Sequence, residues 1–302
     1  MKHFFRLILL HVLLLHIPGN SSGQGRTGYF IGSGFITYNG DINEKSDKII
    51  SSSKVFKPYF KAGINYRLSS RMEISFAYLY GNIGGADSLA KERDNIKRNQ
   101  SFRSRIHELS VQVEYHLLSV YRKQYLNPFV FAGVGVFHFN PQAKLNGQWY
   151  DLRPLGTEGQ FIIGGEHPKP YKLTQIDFPL GIGIYFQLHR NWRLRFDYTY
   201  HITRTDYLDD VSKSYPDMDE LAATLNGDLA VQLSNRRLEG FTPPPGRPRG
   251  NPDVNDSFTT FGFLLIYNPG ELRKGKPHDK KKFSRRNSKL LKRNGLCRGG
   301  WR

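Results

Sequence analysis

The run "TDYLDDVS" places Asp206, Asp209 and Asp210 close together. Carboxylates this near one another could ligate calcium, which takes about six to eight oxygen ligands. The spacing lacks the regular ligand positions of a calcium loop, and no glycine supplies a sharp turn, so the run reads as a solvated acidic loop. The histidines are scattered: His107 and His116 share one segment, while His138, His189 and His201 fall in others. HExxH, CxxC and Gly-rich phosphate loops are all missing from the sequence. "GADSL" around Ser88 lacks the flanking glycines of a nucleophile elbow. An outward Ser–His pair on a membrane barrel would suit acyl hydrolysis, and His107 can be placed outward, but no outward serine can be assigned to it. The chain therefore reads as a non-enzyme, with no catalytic, cofactor-binding or metal-ligating residue assigned and no cofactor expected.

The elements that would position these residues are strands. In "NWRLRFDYTYHIT", Trp192, Leu194, Phe196, Tyr198, Tyr200 and Ile202 alternate with Arg193, Arg195, Asp197, Thr199, His201 and Thr203. Period-two alternation of this length is a β-strand with a different solvent on each face. Seven further segments resemble it: 29–38, 58–68, 72–81, 107–117, 128–139, 174–188 and 257–267. The second and third are joined by "SSR", the sixth and seventh by "HRN", and the fourth and fifth by the run around "LSVYRKQYLN". The remaining gaps run through 39–57, 82–105, 140–172 and 204–256.

Long and short connections thus alternate along the chain, as in outer-membrane barrels with short periplasmic turns and long external loops. Most segments reach the ~10 residues that a tilted membrane-spanning strand needs. The pattern predicts a closed, all-β, eight-stranded antiparallel transmembrane barrel over residues 24–268, located in the cell outer membrane and in contact with its lipid. Trp192, Phe196 and Tyr200 then face lipid. Lys61, Arg67, Glu73, Glu108, Glu114, Arg193, Arg195 and Asp197 fill the lumen as a paired polar plug, because eight strands leave room only for side chains. In the fourth gap, Asp217 stands three residues before Glu220 at a capping-box-like start. Met218, Leu221, Ala222 and Leu225 follow at helical spacing, and Asn226–Gly227 reads as the stop.

Residues 1–23 read as a cleaved secretory signal peptide. Lys2 and Arg6 precede the apolar run Leu7–Ile17, and Ser21 and Gly23 supply small residues before Gln24. The only cysteine is Cys297, so an internal disulfide is impossible. The net charge is +18. Most of it comes from residues 269–302, a basic tail that reads as solvated or as a docking arm carried by Lys280, Lys281, Lys282, Arg285 and Arg286. Export and the absence of a binding fold argue against nucleic acid as its partner.

The runs "PFVFAGVGVFHFNP", "NGQWYDLRPLGTEGQ", "TDYLDDVSKSY" and "RGNP" together resemble the PorG-like outer-membrane β-barrel family of the Bacteroidota. The resemblance covers roughly residues 24–268, and the two middle runs are its more specific part. It implies an eight-stranded barrel that acts as a structural anchor or accessory of a type IX-like secretion or gliding complex. The implied partners are periplasmic secretion-complex proteins, since the family's named member associates with a ring formed by a lipoprotein and its partner. The basic tail beyond Tyr267 departs from the family pattern. A surface adhesion or ligand-binding barrel, acting through its long external loops, is the alternative expectation, and a lipid-modifying enzyme a weaker one.

Overall fold

The computed structural model describes residues 26–42, 56–120, 125–189, 191–238 and 240–269. The signal peptide and the basic residues Lys280, Lys281, Lys282, Arg285 and Arg286 lie outside the described residues. In chain order the strands are β1 (Thr27–Asn39), β2 (Lys57–Arg67), β3 (Met72–Ala86), β4 (Ser101–His116), β5 (Leu126–His138), β6 (Pro141–Leu145), β7 (Gln148–Asp151), β8 (Thr174–His189), β9 (Trp192–Thr203) and β10 (Ser257–Tyr267). The helices are α1 (Arg93–Arg98), α2 (Met218–Ala222) and α3 (Gly227–Ser234).

Eight strands close on themselves as a ring, all pairs antiparallel: β1–β2–β3–β4–β5–β8–β9–β10 and back to β1. The closing pair runs in unbroken register from Tyr29 opposite Tyr267 to Asn39 opposite Ser257. Closure leaves no unpaired edge, which is the condition for crossing hydrocarbon as a sheet. β6 and β7 form a hairpin outside the ring, attached to the upper end of β4 through Arg103 opposite Gln142. The turns β2–β3, β4–β5 and β8–β9 gather at the end where β1 begins and β10 finishes, and the long connections gather at the other.

The outer face is an apolar belt. Ile31, Phe60, Phe76, Val111, Val134, Ile182 and Phe263 are all exposed. Large apolar side chains pointing outward all round a closed sheet are unstable against water and suit lipid. Tyr66, Tyr115, Trp192 and Tyr267 ring the short-turn end, and Tyr80 and Tyr200 stand toward the other. These amphipathic rings match the aromatic girdles of the two membrane interfaces. The chain is thus a membrane-spanning barrel, with Trp192 and Tyr200 on its lipid side.

Inside, two glycines are required by close packing. Gly183 and Gly181 of β8 sit opposite Phe129 and Phe131 of β5, whose rings lie flat over them. A Cβ at Gly183 would fall 2.4 Å from Phe129 Cζ, and one at Gly181 would fall 2.2 Å from Phe131 Cζ. On β5 it is therefore the aromatic face, Phe129, Phe131 and Phe137, that turns into the barrel, while Val130, Val134 and Val136 meet lipid.

The 82–105, 140–172 and 204–256 connections carry folded elements. The 140–172 connection, left without structure by the sequence pattern, contains the β6–β7 hairpin, turned at Asn146 and Gly147 with φ of 48° and 86°. Asp217 caps α2 as the sequence predicts, accepting from the Asp219 and Glu220 amides. Asn226–Gly227 is a start and not a stop: Asn226 is the N-cap residue of α3, which the pattern did not anticipate. Leu152, Leu155, Leu221, Ala230 and Leu233 pack as a small core of their own between the hairpin and these helices.

Candidate functional site

The lumen is built from the polar halves of the alternating strands. Nearest the short turns, Glu73 is the hub. It takes a two-pronged contact from Arg193 at 3.1 and 3.2 Å, with Arg67 Nε at 3.2 Å and Asn65 Nδ2 at 2.6 Å. The next level joins Arg195 to Glu114 and, at 2.6 Å, to Asp197, and the Tyr185 hydroxyl donates to Glu114 at 2.7 Å. Arg195 also lies over the Phe129 ring, 4.7 Å from its centroid. Above it, His201 Nδ1 stands 2.8 Å from Asp177 Oδ2 and 3.1 Å from Glu108 Oε2. The His201 ring stacks on Phe258 at 4.1 Å. Lys61 is buried with Asp197, Glu108 and Glu114 as its neighbouring anions.

All eight charged residues that alternation assigned to the lumen are buried there. Buried charge is tolerated only when paired and hydrogen-bonded. Here Glu73 pairs with Arg67 and Arg193, Glu114 and Asp197 pair with Arg195, and the His201 imidazole stands between Glu108 and Asp177, while Lys61 Nζ lies among these acids without closing a hydrogen bond. Two lumen groups have metal-ligand proximity: Glu73, Glu114 and His116, and Glu108, Asp177 and His201, each with ligand atoms within 4.8 Å of one another. In the first, arginines already occupy both carboxylates. In the second, the imidazole nitrogen itself stands between the carboxylates, in the place a cation would take. Both groups work as structural ion-pair hubs.

Above the charges an apolar plug closes the lumen. Ile36, Leu79, Ile83, Ile106, Phe137 and Phe258 fill it from the strands, and Leu208 and Val211 descend into it from the 204–256 connection.

The external cap seals the top, and here the structure corrects one expectation. Asp206, Asp209 and Asp210 are not solvated: they are 7%, 1% and 0% exposed. Asp210 accepts from the Thr157 hydroxyl and, at 2.6 Å, from the Tyr171 hydroxyl. Arg249 pairs with Glu158 at 3.1 Å and donates to the Asp210 carbonyl at 2.5 Å. Glu158 also accepts the Ser212 and Lys213 amides. Arg98 forks onto Asp87 with two contacts of 2.8 Å, and it donates to the Asp41 and Arg249 carbonyls. These bonds stitch the 82–105, 140–172 and 204–256 connections to one another and to Asp41 just past β1.

Burial governs the protonation of this cap. It pushes Asp206 up to about 8, with Asp41, Asp209 and Glu158 adding repulsion. It pushes Asp210 up to about 6 against the opposing pull of Arg249. Asp256 is also raised, by burial and then by Asp209 and Asp206. For Arg98 and Arg249 burial works against the charge, and the paired carboxylates outweigh it and raise both.

His107 lies half-buried on the outer face, as sequence allowed. Its Nδ1 is 2.8 Å from the Tyr78 hydroxyl, its ring lies 4.9 Å from that of Tyr80, and it stands opposite His138. Its partner is thus a phenol, and Ser88 lies exposed in the β3–β4 connection.

A family model described as a domain of unknown function, DUF6089, matches residues 2–233. The chain belongs to the DUF6089 family. No curated protein matches it. Among solved structures the DUF6089 chain is similar to Ail, the attachment invasion locus protein of Yersinia pestis, at 12% identity and a TM-score of 0.37, covering 81% of this chain and 98% of that one. It is similar to Neisserial surface protein A at 8% identity and a TM-score of 0.39, over 82% and 99% of the two chains. The N-terminal β-barrel domain of Pseudomonas aeruginosa OprF follows at 10% identity and 0.34, over 81% and 98%. At these identities and scores no activity or ligand passes from them to the DUF6089 barrel.

Proposed function

We propose that this outer-membrane barrel is a structural anchor or accessory of a secretion complex of the type IX kind, or of a gliding complex. The observation that carries the reading is the sealed interior. A lumen packed with paired charges, closed by an apolar plug and covered by a bonded cap, leaves the barrel's surfaces to do its work. The resemblance to the PorG-like family adds the kind of complex. The short-turn end, periplasmic by the usual asymmetry of such barrels, offers the β2–β3 turn and the 117–125 connection as contact surface. The basic tail, with Lys280, Lys281, Lys282, Arg285 and Arg286, adds charge that would steer an acidic partner and lose its pull as salt rises.

The test is affinity capture from crosslinked envelopes. Periplasmic ring components should co-purify with the barrel, and their absence from repeated captures would remove the anchoring reading. Truncation after Pro269 separates the two surfaces: a salt-sensitive partner lost with the tail assigns docking to the tail, and an unchanged partner list assigns it to the turns.

One observation favours the alternative, a surface-binding role. The cap carries an open cleft of about 630 Å³ lined by Leu155, Phe161, Ile162, Ile163 and Leu225. Ile163 and Leu225 are almost fully exposed. Under that reading, Ile163→Asp with Leu225→Asp abolishes adhesion of whole cells and leaves ring capture intact.

A further inference from the structure

The outer wall of β4 changes character toward the long-loop end. Along its outward residues the apolar run Val113, Val111 and Leu109 gives way to His107, Arg105 and Arg103. The register extends both levels sideways. Leu109 stands beside Val136, and Val136 beside Ile176, all exposed and apolar. One level higher, Tyr80, His107, His138 and Thr174 lie side by side across β3, β4, β5 and β8. Tyr80 belongs to the aromatic girdle at this end, so Arg105 and Arg103 stand where lipid headgroups begin.

No strand acid reaches these cations. The acids of β3, β4 and β8, namely Glu73, Glu108, Glu114 and Asp177, are all buried in the lumen, and β5 carries none. Arg105 is exposed and makes no hydrogen bond or ion pair among the described residues. Arg103 donates from Nε to Gln142 Oε1 at 2.9 Å, and its guanidinium lies over the Trp149 ring, 3.7 Å from the centroid. Its terminal nitrogens have no partner among the described residues. Asp151, at the end of β7, accepts instead from the Asn140 and Gln142 side-chain amides. The Phe139 amide donates to the Leu173 carbonyl, which brings exposed Lys172 beside the end of β5.

His107 adds a donor. With the Tyr78 hydroxyl donating to Nδ1 at 2.8 Å, Nε2 carries the ring hydrogen. The patch is one-sided: the ends of β1 and β10 nearest the long loops carry Thr37, Asn39, Ser257 and Thr259, all uncharged.

We propose that this wall binds a phosphorylated lipid of the outer leaflet, its phosphate held by Arg105 and Arg103 with His107 and Lys172 at the flanks. Successive outward residues of a strand lie about 6.5–7 Å apart, so both guanidinium groups can reach one headgroup. Arginine suits the task because its planar fork matches phosphate oxygens and stays charged. The occupant is a lipid and not a soluble anion because the cations rise directly from the apolar belt. Acyl chains lie on Leu109, Val136 and Ile176 while the headgroup meets the arginines. The site is on the cell's outer side, since it lies at the long-loop end, and it requires no periplasmic partner.

The experiment titrates the full-length protein, refolded in detergent, with bisphosphorylated lipid A, and native mass spectrometry counts the bound lipid. Binding should saturate, and equal concentrations of dephosphorylated lipid A or inorganic phosphate should not compete. Arg103→Gln combined with Arg105→Gln should weaken binding by about tenfold or more, the scale of losing charge-assisted hydrogen bonds. Arg204→Gln removes a charge just past β9, where Arg204 lies 5.1 Å from the Phe178 ring centroid, and should leave binding unchanged. A heat-dependent gel shift checks that each variant is folded. If the double variant does not fold, Arg105→Gln alone decides, because Arg105 makes no bond among the described residues, and it should lose affinity severalfold. Absence of saturable binding by the wild type, undiminished binding by the arginine variants, equal loss in Arg204→Gln, or competition by either dephosphorylated lipid or inorganic phosphate would overturn the proposal.

Discussion

Single side chains decide which solvent each face of the barrel meets. Phe196 packs edge-on against Phe186 and Phe263, at ring separations of 5.3 and 5.1 Å, on the lipid side of β9. Phe196→Arg should cost roughly 2–4 kcal/mol on refolding into lipid vesicles if the position lies near the midplane. Thr199, buried in the lumen, fails differently. Thr199→Arg adds bulk to a filled interior, so its loss of folding should be the same in thin and thick bilayers, while the cost at Phe196 follows depth. The lumen has its own single point of failure. Glu73→Ala leaves Arg193 and Arg67 facing no carboxylate at that hub, a loss of about 3–5 kcal/mol for a broken buried pair. Urea unfolding in vesicles measures it, and a change below about 1 kcal/mol would contradict the paired-plug account.

The strands were legible in the sequence and the cap was not, for one physical reason. Along β9 each residue's burial is set locally, because lipid and lumen alternate with the pleat. The charged halves of β2, β3, β4 and β9 could therefore be assigned inward from period alone. The cap's core instead joins Leu152 and Leu155 to Leu221 and Leu233, from segments too far apart to leave any periodic signal. The acids of "TDYLDDVS" look solvated for the same reason: Tyr38, which binds Asp209, lies 171 residues away. Asn146–Gly147 is the dipeptide of a type I′ hairpin turn and marks β6–β7.

The cap also has a pH signature. Asp206 and Asp210, near 8 and 6 when folded, sit above the ~3.9 of an unfolded aspartate. The folded cap thus binds more protons, so its stability is fully present below about pH 4 and falls as pH rises toward 8. The groups facing these acids are Asp41, Asp209, Glu158, Arg249 and Tyr171. Proteolysis of the 204–256 connection, followed against pH, should quicken across that window. A rate that slows with rising pH would contradict the assignment of burial as the cause.

At the scale of the whole molecule, a closed ring of strands presents an apolar belt outward and a sealed, charge-paired interior inward. Both faces follow from one alternation, and neither can exist without the other: the plug satisfies charges that lipid would reject, and lipid covers side chains that water would reject. The proposed anchoring role rests on that seal, since a barrel without a pore acts through its ends. Migration on an SDS gel, with and without boiling, tests the closed barrel most directly, on protein followed through fractionation of the cell envelope. A closed barrel resists SDS until heated, so the unheated sample should run as a compact band apart from the boiled one. Identical migration of the two samples, with the protein recovered in the soluble periplasmic fraction, would contradict the closed membrane barrel and everything built on it.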